Sequence, residues 1–131
     1  LGTVAASPFP LVKCDDAAIG RLVAEHFLAS GHRHFAYLGL GEERWSLERE
    51  ASFMESASNR ALSVSTCHLS LGGGKAGGWN DNMDILTGWL GPLPVPLGLM
   101  VASDQLGPAA MKACQRLAPK SAAAPRYRLW W

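Results

Sequence analysis

The chain has 131 residues, 48% of them hydrophobic, and a formal net charge of +1. This suits one domain with a sizeable core and excludes a highly charged, disordered polypeptide. No run approaches the roughly 18 uninterrupted apolar residues of a membrane span, and a near-neutral chain has no global attraction to nucleic acid or anionic lipid.

In chain order, residues 1–10, with Pro8 and Pro10, read as a loop, and 11–14 as a first strand. Residues 16–30 read as a helix. Ile19, Leu22, Val23, Phe27 and Leu28 fall at helical spacing. Asp15 or Asp16 supplies the N-cap and Gly31 a left-handed stop. A strand over 33–38 carries the buried run from Phe35 to Leu38 and ends at Gly39. After a loop over 39–44, a second helix is predicted over 46–58, capped by Ser46 and turning Phe53 and Met54 inward. Residues 62–69 have strand character, with Val64 as the best core position.

Five glycines lie in the seven residues 72–78, which marks a flexible loop. A third helix is predicted over 82–90 from Met83, Leu86, Trp89 and Leu90. Pro92, Pro94 and Pro96 make a rigid connector that cannot continue it. Residues 97–102 form a continuous apolar run, as in a strand buried on both faces, and a fourth helix covers 107–117. Residues 118–131 show no strand period and are expected to form a divergent, disordered tail. Lys112, Arg116, Lys120, Arg126 and Arg128 follow Asp104 with no further acidic residue, so this basic end is expected to be solvated.

Strand and helix alternate throughout. The expected fold class is α/β, a parallel sheet with helices on both faces. Ligands of such sheets bind at the carboxyl ends of the strands, here the loops 39–46, 69–82 and 103–107. Cys14, Cys67 and Cys114 are odd in number and widely spaced. They give neither a disulfide framework nor a zinc pairing. Reduced thiols packed as small apolar groups fit a cytoplasmic setting.

Several patterns fail on inspection. After Gly39-Leu-Gly41, the third glycine of a dinucleotide loop would fall at Arg44. After Gly72-Gly-Gly-Lys75, Ala76 stands where a phosphate loop needs Ser or Thr. His26, His32 and His34 lack metal-ligand spacing, and capping a helix end is their ordinary role. No nucleophile arrangement is readable, so neither an enzyme nor a cofactor or metal site is expected.

The segment 43–53 has more to offer. Trp45 presents a flat apolar face, Ser46 a hydroxyl near a helix start, and Arg49 a fork of donors that grips vicinal hydroxyls. Such a set suits a sugar. Equally, Arg49 pairs with Glu48, Glu50 or Glu55 on a solvated face. Trp79 is a second platform or a cap on the core. Asp104, in Ser103-Asp104-Gln105, accepts from sugar hydroxyls or caps the helix that follows.

The motifs D-D-x-A-I-G-R from Asp15, A-E-H-x-L from Ala24, G-H-R-H-F-A from Gly31, W-S-x-E-R from Trp45 with Phe53, and W-L-x-x-L-P-x-P-L-G-L-M from Trp89 stand in a specific order. With them, residues 10–117 resemble the effector-binding domain of lactose-repressor-type regulators, nearest the xylose-operon-regulator branch. The resemblance implies a lobe of a two-lobed periplasmic-binding-protein-like fold, with 1–10 as an inter-lobe connector, 11–117 as the ligand-binding lobe and 118–131 as the divergent tail. In the family's pattern Arg49 is the arginine ahead of a helical Gly-Phe, with Ser52 replacing the glycine. Trp79 matches the sugar-contacting tryptophan, Ser103-Asp104 an Asn-Asp pair, and Asp15 or Asp16 the aspartate near the first strand.

What the resemblance implies is a sugar-sensing domain of a bacterial transcriptional regulator. It binds a pentose or hexose through Arg49, Trp79, Asp104 and Ser103, supported by Asp15, Asp16, Trp45 and Ser46. DNA contact passes through a domain absent from this chain, the chain forms a homodimer, and no membrane is involved. The missing family ending after Leu117 suggests truncation or a frame change there. Rival expectations are a solute-binding protein of sugar transport, an α/β enzyme acting on a sugar, and a poorly folding remnant. Arg49→Ala is expected to abolish a sugar response and leave the melt nearly unchanged.

Overall fold

The computed structural model describes residues 15–41, 43–70, 79–118 and 126–131. The expected connector at 1–10, the strand at 11–14 and the glycine loop at 72–78 lie outside them. The elements are α1 (Asp16–Ala29), β1 (His34–Leu40), α2 (Arg44–Ala57), β2 (Ser63–Leu69), α3 (Trp79–Leu90), β3 (Leu97–Val101), α4 (Gly107–Leu117) and β4 (Tyr127–Trp130). The strands form one parallel sheet in the order β2-β1-β3-β4.

That order fixes the layers. Right-handed crossovers put a helix on one face when the chain steps one way and on the other face when it steps back. The step from β1 to β2 runs opposite to those from β2 to β3 and from β3 to β4. Accordingly α2 packs with α1 on one face, and α3 packs with α4 on the other. The chain reverses direction between the carboxyl ends of β1 and β3. This is the switch point at which open α/β sheets bind ligands.

Local chemistry accounts for α1. Asp15 accepts from the Ala18 N–H at 3.0 Å and caps its start. At its end Gly31, with φ of 92°, donates to the Leu28 carbonyl while His32 donates to that of Phe27. This paired closure needs a left-handed residue, which glycine adopts without strain. The α1–α2 face is aromatic. Phe27, Phe35, Phe53 and Tyr37 are fully buried and meet ring to ring, Phe35 and Phe53 with centroids 5.6 Å apart. The α3–α4 face is mainly aliphatic, built from Leu86, Leu90, Ala110 and Ala113 against Leu38 and Leu99.

The two helices of the aromatic face touch through backbone. A Cβ on Gly20 would strike the Ser52 hydroxyl and the Arg49 carbonyl, and would lie 2.8 Å from the Phe53 nitrogen. The Ser52 hydroxyl donates to the Ala17 carbonyl at 2.6 Å, a direct bond from α2 to α1. The serine that departs from the family pattern is thus part of the helix contact.

Several expectations need correction, among them Met54, which is exposed rather than turned inward. Tyr127–Trp130 is a strand, not a disordered stretch. It pairs in register with β3, Leu97 opposite Tyr127 and Met100 opposite Trp130, and the Leu97 N–H reaches the Arg126 carbonyl at 2.9 Å. Its ordering comes from an open edge of β3, which no local pattern reveals. Val64 is only half-buried because β2 is an edge strand, and Leu69 is the buried residue of β2. Helix α3 starts at Trp79, three residues before the expected boundary.

Helix α2 starts at Arg44, after Glu43, which makes no side-chain cap bond. Ser46 is no cap. It is the third residue of the helix, within the first turn, where its hydroxyl accepts from the Leu40 N–H at 3.1 Å. The Tyr37 hydroxyl donates to the Ser46 carbonyl at 2.7 Å. These bonds tie the first turn of α2 to β1.

Gly20→Ala should lower stability by about 1–3 kcal/mol through overpacking. Gly88→Ala, on an exposed helical position with nothing within 4 Å of the new methyl, should raise it by about 0.5–1 kcal/mol. Circular-dichroism melts of the two variants check the opposite signs. Burial pushes the Tyr37 hydroxyl from 10.0 up to about 12. A raised acid contributes stability that is full below the unfolded pKa near 10 and is lost as pH climbs towards 12. Denaturant melts at successive alkaline pH values should therefore show a steeper loss for the parent chain than for Tyr37→Phe.

Candidate functional site

A hollow of about 610 Å³ opens at the switch point, lined by Ile19, Trp45, Arg49, Ala102, Ser103, Asp104, Trp130 and Trp131. Three connections build it. Helix α2 follows β1 and brings Trp45 and Arg49. The turn after β3 brings Ala102, Ser103 and Asp104. The end of β4 brings the two tail tryptophans, beside Ile19 of α1.

Arg49 organises the site. Its Nε donates to Asp16 Oδ1 at 2.8 Å, and one terminal nitrogen donates to the Ala102 carbonyl at 2.8 Å. The pair is largely enclosed, with side-chain exposures of 18% for Arg49 and 9% for Asp16. The guanidinium carbon also stands 5.0 Å from the Trp45 ring centroid, within cation–π range. One side chain thereby joins α1, α2 and β3 and keeps further donors at the hollow's wall, since a guanidinium carries five N–H groups.

The expected pairing of Arg49 with a neighbouring glutamate does not describe this arrangement. Its partner is Asp16, 33 residues away in sequence, rather than Glu48, Glu50 or Glu55. The expectation that Arg49→Ala leaves the melt unchanged is corrected with it, because truncation would strand the Asp16 carboxylate in a mostly buried position.

The remaining expected residues divide. Trp45, Arg49, Ser103 and Asp104 converge on the hollow. Asp104 is exposed and does not cap α4, whose cap position is Leu106 with no side-chain cap bond. Ser103 holds its own turn, its hydroxyl accepting from the Gln105 N–H at 3.3 Å. Asp16 reaches the hollow only through Arg49. Ser46, fully buried, faces the core.

Asp15 lies in a separate hollow of about 640 Å³ with Asp16, Ala17, Glu48, Ala51, Ser52 and Glu55. That wider space offers carboxylates without a guanidinium or an aromatic wall, on the outer side of the α1–α2 pair. Trp79 begins α3, at the carboxyl-end side of β2 in chain order.

Ile19, Ala102, Trp130 and Trp131 also line the hollow, and none of them is among the residues expected at the site. The tail carries no signal of this in its sequence, because Tyr127–Trp130 shows its alternation of half-buried and exposed residues only when paired with β3. Among the described residues no group of three His, Cys, Asp or Glu side chains is placed to hold a metal ion. Among them, too, no helix is long and apolar enough to cross a membrane. Burial pushes the Cys114 thiol up to about 12 and raises that of Cys67, so neither is a ready nucleophile.

The profile of the periplasmic binding protein-like domain matches residues 24–119. The chain belongs to that family. Its fold is shared by a xylose-binding transcription activator, xylR, at 21% identity and a TM-score of 0.78 over 98% of this chain. It is shared also by a dimeric Lac repressor with a C-terminal deletion, at 22% identity and 0.59 over 88%. A periplasmic solute-binding protein of an ABC transporter from Actinobacillus succinogenes, with bound D-allose, matches at 15% identity and 0.63 over 95%. The chain spans 34%, 40% and 43% of those three structures. No curated protein matches it. In this periplasmic-binding-protein-like lobe, the switch-point hollow lies where the sheet topology directs ligands.

Arg49→Met should lower the melting temperature by several degrees, an effect of about 1–3 kcal/mol for an uncompensated, mostly buried carboxylate. The double variant Asp16→Asn with Arg49→Met should recover part of that loss. Thermal melts of the single and double variants measure the coupling.

Proposed function

We propose that this chain is a carbohydrate-binding effector lobe of a transcriptional regulator, taking a pentose or hexose at the switch-point hollow. The observation that carries the reading is the convergence there of a guanidinium with spare donors, an exposed carboxylate and an indole face. Arg49 donates to vicinal hydroxyls, Asp104 accepts from them, Ser103 offers a further hydroxyl, and Trp45 lies under the guanidinium at one side. Trp79, the first residue of α3 after β2 in chain order, is assigned a supporting role. Asp15, Asp16 and Ser46 act at a distance, by capping α1, holding Arg49 and anchoring α2.

The regulator reading is supported by the likeness to an activator and a repressor. In it the sugar shifts a conformational equilibrium of a longer protein and changes the operator affinity of a separate DNA-binding domain. A cytoplasmic homodimer is the assembly proposed. The D-allose-bound neighbour supports a second reading, a solute-binding lobe of a transporter. The same site chemistry serves both readings, and sugar-dependent operator binding by the longer protein separates them.

A thermal melt of the chain against D-xylose, L-arabinose, D-ribose, D-glucose, D-galactose and D-allose tests the shared core of both readings. At about a hundred times its Kd, a true ligand adds about 2.7 kcal/mol of stability, a shift of several degrees. Asp104→Ala should remove the shift and leave the sugar-free melt within about 0.5 kcal/mol, as for an exposed side chain. A cooperative melt that no aldose moves would overturn the reading.

A further inference from the structure

The geometry points to Trp130 and Trp131 as the second wall of this hollow, one that admits a sugar in its closed six-membered ring form and disfavours open-chain polyols. The inference rests on the sugar reading above and narrows its ligand class.

Strand pairing brings the two tryptophans to the site. Because β4 runs parallel to β3 with Met100 opposite Trp130, its carboxyl end arrives beside the turn that carries Ser103 and Asp104. Side chains alternate across a strand. Arg128 lies opposite Gly98, and a Cβ on Gly98 would point into the Phe27 ring of α1 at 2.8 Å. Arg128 and, two residues on, Trp130 therefore stand on the α1 face, and Trp130 meets the hollow next to Ile19. Trp131 crosses to the other side. Its indole covers Gly107 at the start of α4, with ring atoms 2.6–2.9 Å from where a Cβ would stand. Only glycine leaves room for the ring there, so Gly107 is the positioning residue for Trp131.

The result is a hollow with two chemistries. Arg49, Ser103 and Asp104 form a polar rim, while Ile19, Trp130 and Trp131 form an apolar wall. Trp130 and Trp131 keep 36% and 40% of their surface exposed, so much of each indole is left for a ligand to cover. A pyranose fits both halves. Its ring presents a face of C–H groups that packs on an indole, and its rim hydroxyls meet donors and acceptors. An open-chain polyol carries the same hydroxyls without a fixed apolar face.

The test is calorimetric titration of the full chain and its variants with methyl β-D-xylopyranoside and methyl β-D-allopyranoside, against xylitol and allitol. The parent chain should bind at least one pyranoside no less than tenfold more tightly than the matching polyol. Trp130→Ala should weaken the pyranoside at least tenfold and the polyol less than threefold. Gly107→Ala, which displaces the Trp131 ring while keeping it, should weaken the pyranoside in the same selective way. Trp130→Phe should restore most of the affinity lost in Trp130→Ala.

Sugar-free melts identify any variant that fails to fold, and the two alanine variants act from different elements. Equal affinity for pyranoside and polyol, or pyranoside binding unchanged in both variants, overturns the wall and leaves the sugar reading standing. If neither the aldose panel nor these pyranosides bind, both fall.

Discussion

Everything at the carboxyl edge of this sheet depends on the Arg49 guanidinium. A planar cation with five donors can satisfy several partners at once, and here it does so in three directions. Nε meets the Asp16 carboxylate at the start of α1, a terminal nitrogen meets the Ala102 carbonyl past the end of β3, and the guanidinium carbon stands over the Trp45 ring. Removing any one of these leaves the others less well placed. Asp16 is too buried to be left unpaired, and the α2 backbone at Arg49 is the surface that Gly20 packs against. The ion pair thus contributes registration between helices more than net stability. That registration places a guanidinium, an indole and a carboxylate around one hollow.

The rest of the lobe supports this edge by close contact. The glycine at position 20 lets the α1 backbone reach the backbone of α2 and the Ser52 hydroxyl. The aromatic cluster of Phe27, Phe35, Tyr37 and Phe53 fills the space between those helices and the sheet. Ser46 and Tyr37 bind the first turn of α2 to β1 through buried hydrogen bonds. With α2 fixed at its start and along its length, Trp45 and Arg49 have little freedom. Such preorganisation is what a binding site needs if ordering side chains is not to consume the affinity.

Much of this was legible in the sequence wherever the chemistry is local. The Asp15 cap, the Gly31 stop, the apolar run of β3 and the strand–helix alternation all express short-range rules, and they led to the parallel α/β class. Four of the expected site residues, Trp45, Arg49, Ser103 and Asp104, converge because topology alone sends loops after β1 and β3 to one place. What stayed hidden is long-range. Asp16 and Arg49 are 33 positions apart, and each has nearer partners of opposite sign. The strand at Tyr127–Trp130 is short, alternates with arginine and is ordered only by the open edge of β3. Trp131 meets Gly107 through that pairing. Ser46 looked like a cap because serine before an apolar run usually is one, but a buried N–H at Leu40 claims its hydroxyl.

The most direct measurement is nitrogen-edited NMR of the arginine side chains, with Arg49→Lys assigning the Arg49 signal. The account predicts that the Arg49 Nε–H exchanges slowly with water, in contrast to that of exposed Arg44. It also predicts that this Nε–H stays in place when a bound aldose shifts the terminal Arg49 nitrogens. An Arg49 Nε–H that exchanges as fast as that of Arg44, or terminal nitrogens unmoved by a sugar that stabilises the chain, would contradict it.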